Sequence, residues 1–514
     1  MSIFWMIACN GGTKAWETTV EPIVGVANID DDNQDGTPDW EGDISDAEND
    51  LTVFELPTEV RDALGKGDTL RIRQNDNGFR IYANGTLKSN SSDDLFEVDA
   101  DATLEFEFQQ MNSTGTITLV WLDKNGNERS TIDVDVISAP MLLNHHLQPM
   151  EQVYAMAGNG FVNNQDFIRG FENALGDDFT SYPVRDYEWD VWLQDEIEFA
   201  TLASRGTRLD IIIDSIRNRG LDSLPENEMD GPDRWIETWG RGMATSQDSF
   251  GNLEVTPPTE EYPFGRIYYG DWYYGNSVDT ITDTLVDEFD RQELQLPFTL
   301  DVTFLCVGHV DEYMTFVPDA SSPKGFKFLL ADVNAGYAFL ETLDPSMSLP
   351  KYASDHGFSS VGAILNDNAL KRLNEDIQLD YINPTWEVMQ SELGLTEEDI
   401  IRIPMLFEEA VGCQGYTATL MPSTLNMVVA TNADGTGADL IMPDPYFRSN
   451  VNDQSQDPFI EHVNSLLPEG NTPHWIDDWA DYHMMLGEVH CGSNTLRTPI
   501  SIEDVETTTL GGAE

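Results

Sequence analysis

Near its C-terminus the chain reads Gly487-Glu-Val-His-Cys-Gly-Ser-Asn494, which places one cysteine between a histidine and a glycine. Two earlier segments, Gly251-Asn-Leu-Glu254 and Gly308-His-Val-Asp311, share the order glycine, polar, aliphatic, polar with the first half of this stretch. A motif that recurs along a chain indicates a repeated supersecondary unit. The sequence therefore predicts a repeated module that brings polar residues together at one opening of the fold, with Cys491 as the candidate nucleophile.

The composition excludes several classes of partner. The chain has 514 residues, and its 92 acidic against 27 basic residues give a formal net charge of −65. Such a charge repels nucleic acid and anionic membranes, so we expect neither as a partner. The sequence also lacks the apolar run of roughly 18 residues that a membrane-spanning helix needs. Cationic partners and divalent metal ions complement this charge, although solubility alone would also explain it.

The first residues resemble the end of a bacterial lipoprotein signal. The apolar run Ser2-Ile-Phe-Trp-Met-Ile-Ala ends at a small residue before Cys9, but a basic start is missing. We therefore expect residues 1–20 to be a signal remnant and linker, with a candidate lipid anchor at Cys9 and an extracytoplasmic or secreted location. An ordinary apolar strand is the alternative.

Residues 21–137 have an all-β pattern. Apolar and polar residues alternate in Thr69-Leu-Arg-Ile-Arg73 and in Gly115-Thr-Ile-Thr-Leu-Val-Trp-Leu122. Turn signals such as Asn77-Gly78 and Asn84-Gly85 separate these runs. Short strands at this spacing predict an immunoglobulin-like β-sandwich over residues 21–137.

One acidic loop of this β region runs from Asn28 to Asp43. Calcium needs six to eight oxygen ligands, and alternate positions of a short loop can supply them. Two sets of ligands are possible in this loop. One set is Asp31, Asn33, Asp35 and Asp39, and the other is Asn28, Asp30 and Asp32. The loop therefore predicts a calcium site with either set.

From residue 138 to the C-terminus, strand-like and helical runs alternate. The strand-like runs are Arg208-Leu-Asp-Ile-Ile-Ile213, Thr299-Leu-Asp-Val-Thr-Phe-Leu305, Phe326-Lys-Phe-Leu-Leu-Ala331 and Leu425-Asn-Met-Val-Val-Ala430. The helical runs cover residues 164–175, 280–291, 384–393 and 458–467. This texture predicts one large α/β or α+β domain over residues 138–514, and an α+β class for the whole chain.

Several polar stretches could assist Cys491. Read as a strand, Trp192-Leu-Gln-Asp-Glu-Ile-Glu-Phe199 places Gln194, Glu196 and Glu198 on one face and Asp195 on the other. On a strand, His309 and Asp311 would also project the same way as a candidate acid/base pair. The alternatives without a catalytic role are a structural histidine at position 309 and a solvent-exposed strand face in the stretch from Trp192.

Two more stretches supply oxygens and cations. The segment Asp214-Ser-Ile-Arg-Asn-Arg-Gly220 carries side-chain oxygens that could bind a metal ion. Its two arginines could donate paired hydrogen bonds to carbonyls or carboxylates. The segment Phe250-Gly-Asn-Leu-Glu254 could add backbone carbonyls and one carboxylate to a metal site.

Two carboxylates around a cysteine suit a planar cation such as a guanidinium, which donates bidentate hydrogen bonds to a carboxylate. The thiolate of Cys491 would attack the central guanidinium carbon, and His309 would protonate the departing ammonia. Water would then hydrolyse the covalent adduct. The expected product is a ureido group, as in citrulline from arginine.

Five stretches, in this order, resemble the protein-arginine deiminases, the calcium-dependent branch of the guanidino-group-modifying superfamily. They are Trp192–Glu198, Asp214–Gly220, the segment Asp248-Ser-Phe-Gly-Asn-Leu-Glu-Val-Thr-Pro-Pro258, Val307–Glu312 and Gly487–Asn494. The resemblance covers roughly residues 138–514 and implies a five-bladed α/β propeller there. It implies calcium-dependent hydrolysis of peptidyl-arginine to peptidyl-citrulline, with arginine-containing proteins or peptides as substrates.

The resemblance also implies a role for each matched residue. The catalytic set is Asp195, His309, Asp311 and Cys491, and the substrate-binding set is Trp192, Arg217 and Arg219. One calcium ion would take Gln194, Glu198, Glu254 and the carbonyls of Phe250 and Leu253, and a second would take Glu196, Asp214, Ser215 and Asn218. The loop from Asn28, with Asp30, Asp32, Asp35 and Asp39, resembles a further calcium cluster of the family.

The sequence departs from the family in two ways. Vertebrate members carry two β-domains, whereas the residues before position 138 suffice for one, as expected of a bacterial-type member; this leaves the oligomer open. Met485 stands where some members place an arginine. Two rival functions remain: a deiminase of free arginine or a small guanidine, and a non-catalytic secreted calcium-binding protein.

Overall fold

The computed structural model describes residues 20–42, 50–99 and 101–500. Cys9 and the expected signal remnant therefore lie outside the described residues, apart from residue 20. Within the described ranges, none of the helices has the length and apolar character needed to cross a membrane.

The N-terminal part forms two sheets that share one hydrophobic core. Its strands are β1 (Ile23–Gly25), β2 (Thr52–Phe54), β3 (Thr69–Gln74), β4 (Phe79–Ala83), β5 (Thr86–Ser89), β6 (Leu95–Val98), β7 (Leu104–Phe108), β8 (Thr114–Leu122) and β9 (Glu128–Ser138), and helix α1 (Thr58–Ala63) follows β2. The sheet orders are β1-β9-β8-β3-β6 and β2-β7-β4-β5. The predicted turn at Asn84-Gly85 joins β4 to β5, and both residues have the positive φ that a tight hairpin requires.

The C-terminal part is mixed α/β. Its strands are β10 (Leu142–Leu143), β11 (Met150–Ala157), β12 (Phe179–Pro183), β13 (Ile197–Ser204), β14 (Thr207–Asp214), β15 (Arg234–Glu237), β16 (Leu253–Val255), β17 (Ile267–Tyr274), β18 (Ser277–Asp279), β19 (Phe298–Asp301), β20 (Met314–Pro318), β21 (Phe326–Asp332), β22 (Ile400–Pro404), β23 (Phe407–Glu409), β24 (Thr417–Thr419), β25 (Val428–Thr431), β26 (Ala438–Pro443), β27 (Thr472–Ile476) and β28 (Ser493–Arg497). Its helices are α2 (Gln165–Leu175), α3 (Leu193–Glu196), α4 (Asp283–Gln292), α5 (Val333–Glu341), α6 (Pro350–Asp355), α7 (Val361–Leu365), α8 (Asn368–Ile377), α9 (Asn383–Leu393) and α10 (Pro458–Leu466).

One pairing scheme recurs in five of these sheets. In each, a central strand pairs antiparallel with one neighbour and parallel with the other: β28-β11-β12, β13-β14-β15, β16-β17-β19, β20-β21-β22 and β25-β26-β27. Four of the five parallel pairs are joined by a crossover that contains an α-helix, and the crossover from β14 to β15 contains a short π-helix, Pro225–Met229. Because β28 pairs with β11, the last strand described closes a sheet begun near residue 150.

Some local predictions are confirmed and others are wrong. Helices α2, α4, α9 and α10 occupy the predicted helical runs. However, Trp192–Phe199 is not one strand, because α3 precedes a strand that begins at Ile197. The predicted strand from Thr299 ends at Asp301, whose carboxylate accepts the Thr303 N–H in a tight turn.

The pair His309 and Asp311 does not lie on a strand either. His309 precedes a 3₁₀ helix over Val310–Glu312. The Glu312 carboxylate accepts the backbone N–H groups of Gly308 and His309, at 3.0 and 2.9 Å. This turn sends the side chains of His309 and Asp311 to different partners.

A disulfide bond joins Cys306 to Cys413, which are 107 residues apart in sequence and 5.8 Å apart at Cα. Cysteine spacing alone did not predict this bond. It ties the chain three residues before His309 to the loop that follows β23. Closing a loop of this length restricts the unfolded chain, and loop-closure entropy alone would stabilise the protein by about 4–5 kcal/mol.

Reduction of this bond is therefore expected to lower the thermal unfolding midpoint. The measurement compares the chain with and without dithiothreitol. The double variant Cys306→Ser/Cys413→Ser is the control and should melt at the reduced midpoint under both conditions. Equal midpoints for the oxidised and reduced wild-type chain would contradict the stabilising role.

Candidate active site

The thiol of Cys491 is buried where three parts of the fold meet. Asn426 holds it from one side: its Nδ2 donates to Sγ at 3.1 Å, and its Oδ1 accepts the Cys491 N–H at 3.1 Å. Asp311 lies on the other side, with Oδ2 at 3.6 Å from Sγ. Asn426 was missed from the sequence, where it looked like one polar residue in an apolar run.

The surroundings keep Cys491 protonated in this state. Burial raises the pKa of the thiol well above its ordinary value, and the negative charges of Asp311 and Asp195 raise it further. A cation entering between these carboxylates would reverse this effect and favour the thiolate. The surroundings would therefore favour the thiolate of Cys491 only when a positive charge is bound.

His309 is fully buried and turns toward Asp195 rather than Asp311. Its Nδ1 lies 3.7 Å from Asp195 Oδ1, and its Nε2 lies 2.9 Å from the carbonyl oxygen of Ser246. Asp311 instead contacts His490, with 2.9 Å between its Oδ2 and the His490 Nδ1. The predicted pairing of His309 with Asp311 is thus wrong in partner, although both residues reach the site.

Gly251 explains why a glycine begins the repeated motif. A Cβ at this position would lie 2.8 Å from His309 Nδ1 and 3.1 Å from Asp311 Oδ2. A side chain there would displace both groups. The close approach therefore requires glycine for a steric reason.

Two arginines of the chain already occupy Asp195. Arg219 donates from Nη1 to Asp195 Oδ2 at 2.8 Å and donates to Asp190 through three further contacts at 2.8, 2.9 and 3.1 Å. Arg217 places its Nη1 3.6 Å from the same Asp195 oxygen and contacts Ser249. A guanidinium ligand entering here would therefore have to replace an internal guanidinium at this carboxylate.

Trp192 lies near Cys491. Its ring packs edge-on against Tyr482, with centroids 5.4 Å apart. It also covers Gly487, where a Cβ would lie 2.3 Å from the Trp192 ring and 3.3 Å from Cys491 Cβ. The first glycine of the C-terminal motif thus lets the indole pack against the backbone near the cysteine.

The first expected calcium set comes together around one small cavity. Gln194, Glu198, Leu253 and Glu254 line it. Gln194 Nε2 donates to Glu198 Oε2 at 2.7 Å and to the Phe250 carbonyl oxygen at 3.2 Å. Burial, together with the charge of Glu254, raises the pKa of Glu198 to about 8. A bound cation would offset this cost, so these residues fit calcium.

The second set comes together only in part. Burial raises the pKa of Glu196 to about 8, with a further contribution from Asp214, whose own pKa burial raises to about 7. Each of these two carboxylates has one buried oxygen without a hydrogen-bond partner in the described structure. Ser215 instead donates its hydroxyl to the Asp248 carbonyl at 2.8 Å, and Asn218 donates to the Ile216 carbonyl at 2.8 Å. The two carboxylates fit a cation, and the other two residues would have to turn toward it.

The N-terminal acidic loop favours the ligand set of Asn28, Asp30 and Asp32. Burial, with the charges of Asp50 and Asp32, raises the pKa of Asp30 to about 8. Asp30, Asp32 and Asp233 each bring one carboxylate oxygen within 4.8 Å of the others. Asp233 lies about 200 residues from the loop, so the loop sequence could not reveal it.

The side chains of the other ligand set, which begins at Asp31, accept hydrogen bonds from the backbone of the loop itself. Asp31 accepts the N–H groups of Asp35 and Gly36 at 2.9 and 2.7 Å, and Asn33 accepts that of Asp35 at 2.8 Å. Asp35 is exposed and accepts the Thr37 N–H at 3.0 Å, so it points away from the buried group. Asp39 is buried and accepts the Asp32 N–H at 3.1 Å, which keeps it beside that group.

Comparison with known proteins identifies the family. A family profile described as Protein-arginine deiminase (PAD) matches residues 130–503. The chain belongs to the protein-arginine deiminase family. The family match includes every residue of the Cys491 site described above.

Named relatives agree with this membership. Protein-arginine deiminase type-4 of Rattus norvegicus is 32% identical over 416 residues, covering 75% of this chain and 59% of that protein. The Homo sapiens type-4 enzyme is 34% identical over 382 residues, covering 71% of this chain and 55% of that protein. The chain thus spans little more than half the length of these relatives. The solved structure of C. jejuni agmatine deiminase aligns at 9% identity with a TM-score of 0.39, covering 71% of this chain and 98% of that chain, which is too weak to define a shared fold.

Proposed function

We propose that this chain is a calcium-dependent protein-arginine deiminase that hydrolyses peptidyl-arginine to peptidyl-citrulline and ammonia. The observation that carries the proposal is the meeting of Cys491, Asp311, Asp195 and His309 around one buried thiol, in a member of this family. A deiminase of free arginine would also use this chemistry, and a non-catalytic calcium-binding protein would not need the thiol between two carboxylates.

The proposed reaction follows from the contacts. Asp195 and Asp311 bind the substrate guanidinium through charge-assisted hydrogen bonds, which places its central carbon near Cys491 Sγ. The bound cation lets the Cys491 thiol lose its proton to solvent, and the thiolate adds to that carbon. Ammonia leaves after protonated His309 gives it a proton. Neutral His309 then takes a proton from water, which attacks the thiouronium carbon. The carbon–sulfur bond breaks, citrulline forms and the thiol is restored.

The fold proposal rests on the repeated strand pairing. Five sheets share one arrangement, which supports a five-bladed α/β propeller over residues 138–514. The two N-terminal sheets with a shared core support an immunoglobulin-like β-sandwich over residues 21–137.

Calcium would bind the three acidic groups described above and neutralise their buried carboxylates. The segment from Asp214 to Gly220 carries both candidate calcium ligands and the two arginines at Asp195. A shift of Ser215 and Asn218 toward an ion would therefore move Arg217 and Arg219. This coupling would free Asp195 for the substrate, and it explains why activity should need calcium.

The substitution Glu198→Ala should raise the calcium concentration at half-maximal turnover by about tenfold or more, because a buried carboxylate ligand is lost. The matched control is Glu172→Ala, which removes an exposed carboxylate from α2. The measurement is citrulline formation from an arginine peptide across a calcium titration. A midpoint equal to that of Glu172→Ala would remove Glu198 from the calcium site.

We also propose an extracytoplasmic location and a preference for cationic protein substrates. The Cys306–Cys413 disulfide supports an oxidising compartment. The net charge of −65 supports steering of arginine-rich chains toward the site.

A further inference from the structure

Two histidines and one carboxylate meet behind the nucleophile. His146 Nε2 lies 3.2 Å from Glu254 Oε2, and His490 Nε2 lies 3.6 Å from Glu254 Oε1. One ligand atom of each residue lies within 4.8 Å of the other two, and all three side chains are buried. Two ligand atoms held about 2 Å from one tetrahedral ion would be separated by about 3.3 Å, close to these contacts.

Both imidazoles are oriented by a contact at their other nitrogen. His146 Nδ1 lies 3.0 Å from Thr315 Oγ1, and His490 Nδ1 lies 2.9 Å from Asp311 Oδ2. Histidines that bind metals are held in this way, because a partner at one nitrogen fixes the lone pair of the other. Here both Nε2 atoms face Glu254.

The space and the charge between these residues also suit an ion. His146, Glu254 and His490 line a cavity of about 20 Å³, which is large enough for one water-sized occupant. Glu198 and Glu254 face one guanidinium, Arg497, so the carboxylates outnumber the fixed cation. The Arg497 donors are directed to the carbonyl oxygens of His146, Gln148 and Val429.

We propose that His146, Glu254 and His490 form a binding site for a divalent transition-metal ion of the zinc type. Two imidazole nitrogens and one carboxylate favour such an ion over calcium, which prefers oxygen ligands only. Glu254 belongs to both sets, so one ion would exclude the other. This competition rests on the proposed calcium function, whereas the zinc-type site itself does not.

The test uses Co²⁺ as a visible probe for the metal-free chain in calcium-free buffer. One equivalent of Co²⁺ should give the d–d absorption band that is typical of an ion with a low coordination number, and added Zn²⁺ should abolish this band. His146→Asn and Thr315→Val should each weaken Co²⁺ binding by about 10- to 100-fold. His462→Asn, which removes a partly exposed imidazole from α10, is the control and should bind like the wild type.

Equal Co²⁺ affinity in the wild type, His146→Asn and Thr315→Val would overturn the site, and so would absence of the band in the folded wild-type chain. Circular dichroism of each variant verifies folding. Excess calcium should bleach the band. A band that persists in calcium would overturn the shared use of Glu254. If the wild-type chain gives the Co²⁺ band but shows no deiminase activity with calcium, only the proposed function is contradicted, and the zinc-type site stands.

Discussion

Cys491→Ala is expected to lower citrulline formation from an arginine peptide by at least about 10³-fold, because removal of a nucleophile leaves only binding and electrostatic assistance. The thiol lies between Asn426 and Asp311, and both would remain. The variant should therefore bind peptide while failing to turn it over. The measurement is single-turnover ureido formation with enzyme in excess.

An amidinium-bearing alkylating agent provides a second readout for the same variant. Among the described residues it should label only Cys491, since the other two cysteines there form a disulfide. Turnover by Cys491→Ala within tenfold of the wild type would exclude this residue as the nucleophile.

Asp311→Asn is expected to lower kcat/KM for the peptide by about 10²- to 10³-fold. The carboxylate would pair with the substrate guanidinium in a buried site, and loss of one partner from a buried charge pair costs about 3–5 kcal/mol. Asparagine keeps the shape but removes the charge that faces Cys491 and His490. Steady-state kinetics with a range of peptide concentrations measures the effect.

The matched control for this substitution is Asp376→Asn, which changes an exposed carboxylate on α8. It should leave kcat/KM within twofold of the wild type, so that a general effect of lost negative charge is separated from the local one. Kinetic constants of Asp311→Asn that match those of Asp376→Asn would contradict the guanidinium-binding role.

Periodicity predicted the elements that are long and regular. The run Gln165–Leu175 and the strand Thr207–Asp214 were both found where expected, because their apolar residues repeat over two or more turns or across a whole strand. The stretch from Trp192 was misread as a strand. It is too short for period two to be separated from one helical turn followed by a strand.

The sequence predicted which residues meet at the site better than it predicted which of them contact one another. Cys491 and Asp311 are in contact across 180 residues. The spacing of His309 and Asp311 suggested a pair, yet a 3₁₀ turn sends His309 to Asp195. Local spacing cannot specify such turns, because the hydrogen bonds of Glu312 that set them depend on burial.

Contacts distant in sequence account for the remaining omissions. Asn426 holds the thiol from 65 positions away, and Cys306 bonds Cys413 across 107 positions. Neither pair carries a motif that one chain can show. His146 likewise faces Glu254 from a distant part of the sequence, so its candidate metal site is visible only in the fold.

The central claim is calcium-dependent deimination of arginine within a peptide. Its direct test incubates the full chain with an arginine peptide, with free arginine and with agmatine, each in millimolar calcium or in excess chelator, and assays the ureido product. The expected result is turnover of the peptide that requires calcium and is absent in Cys491→Ala. Turnover of free arginine or agmatine alone, or full peptide turnover in chelator, would contradict the claim.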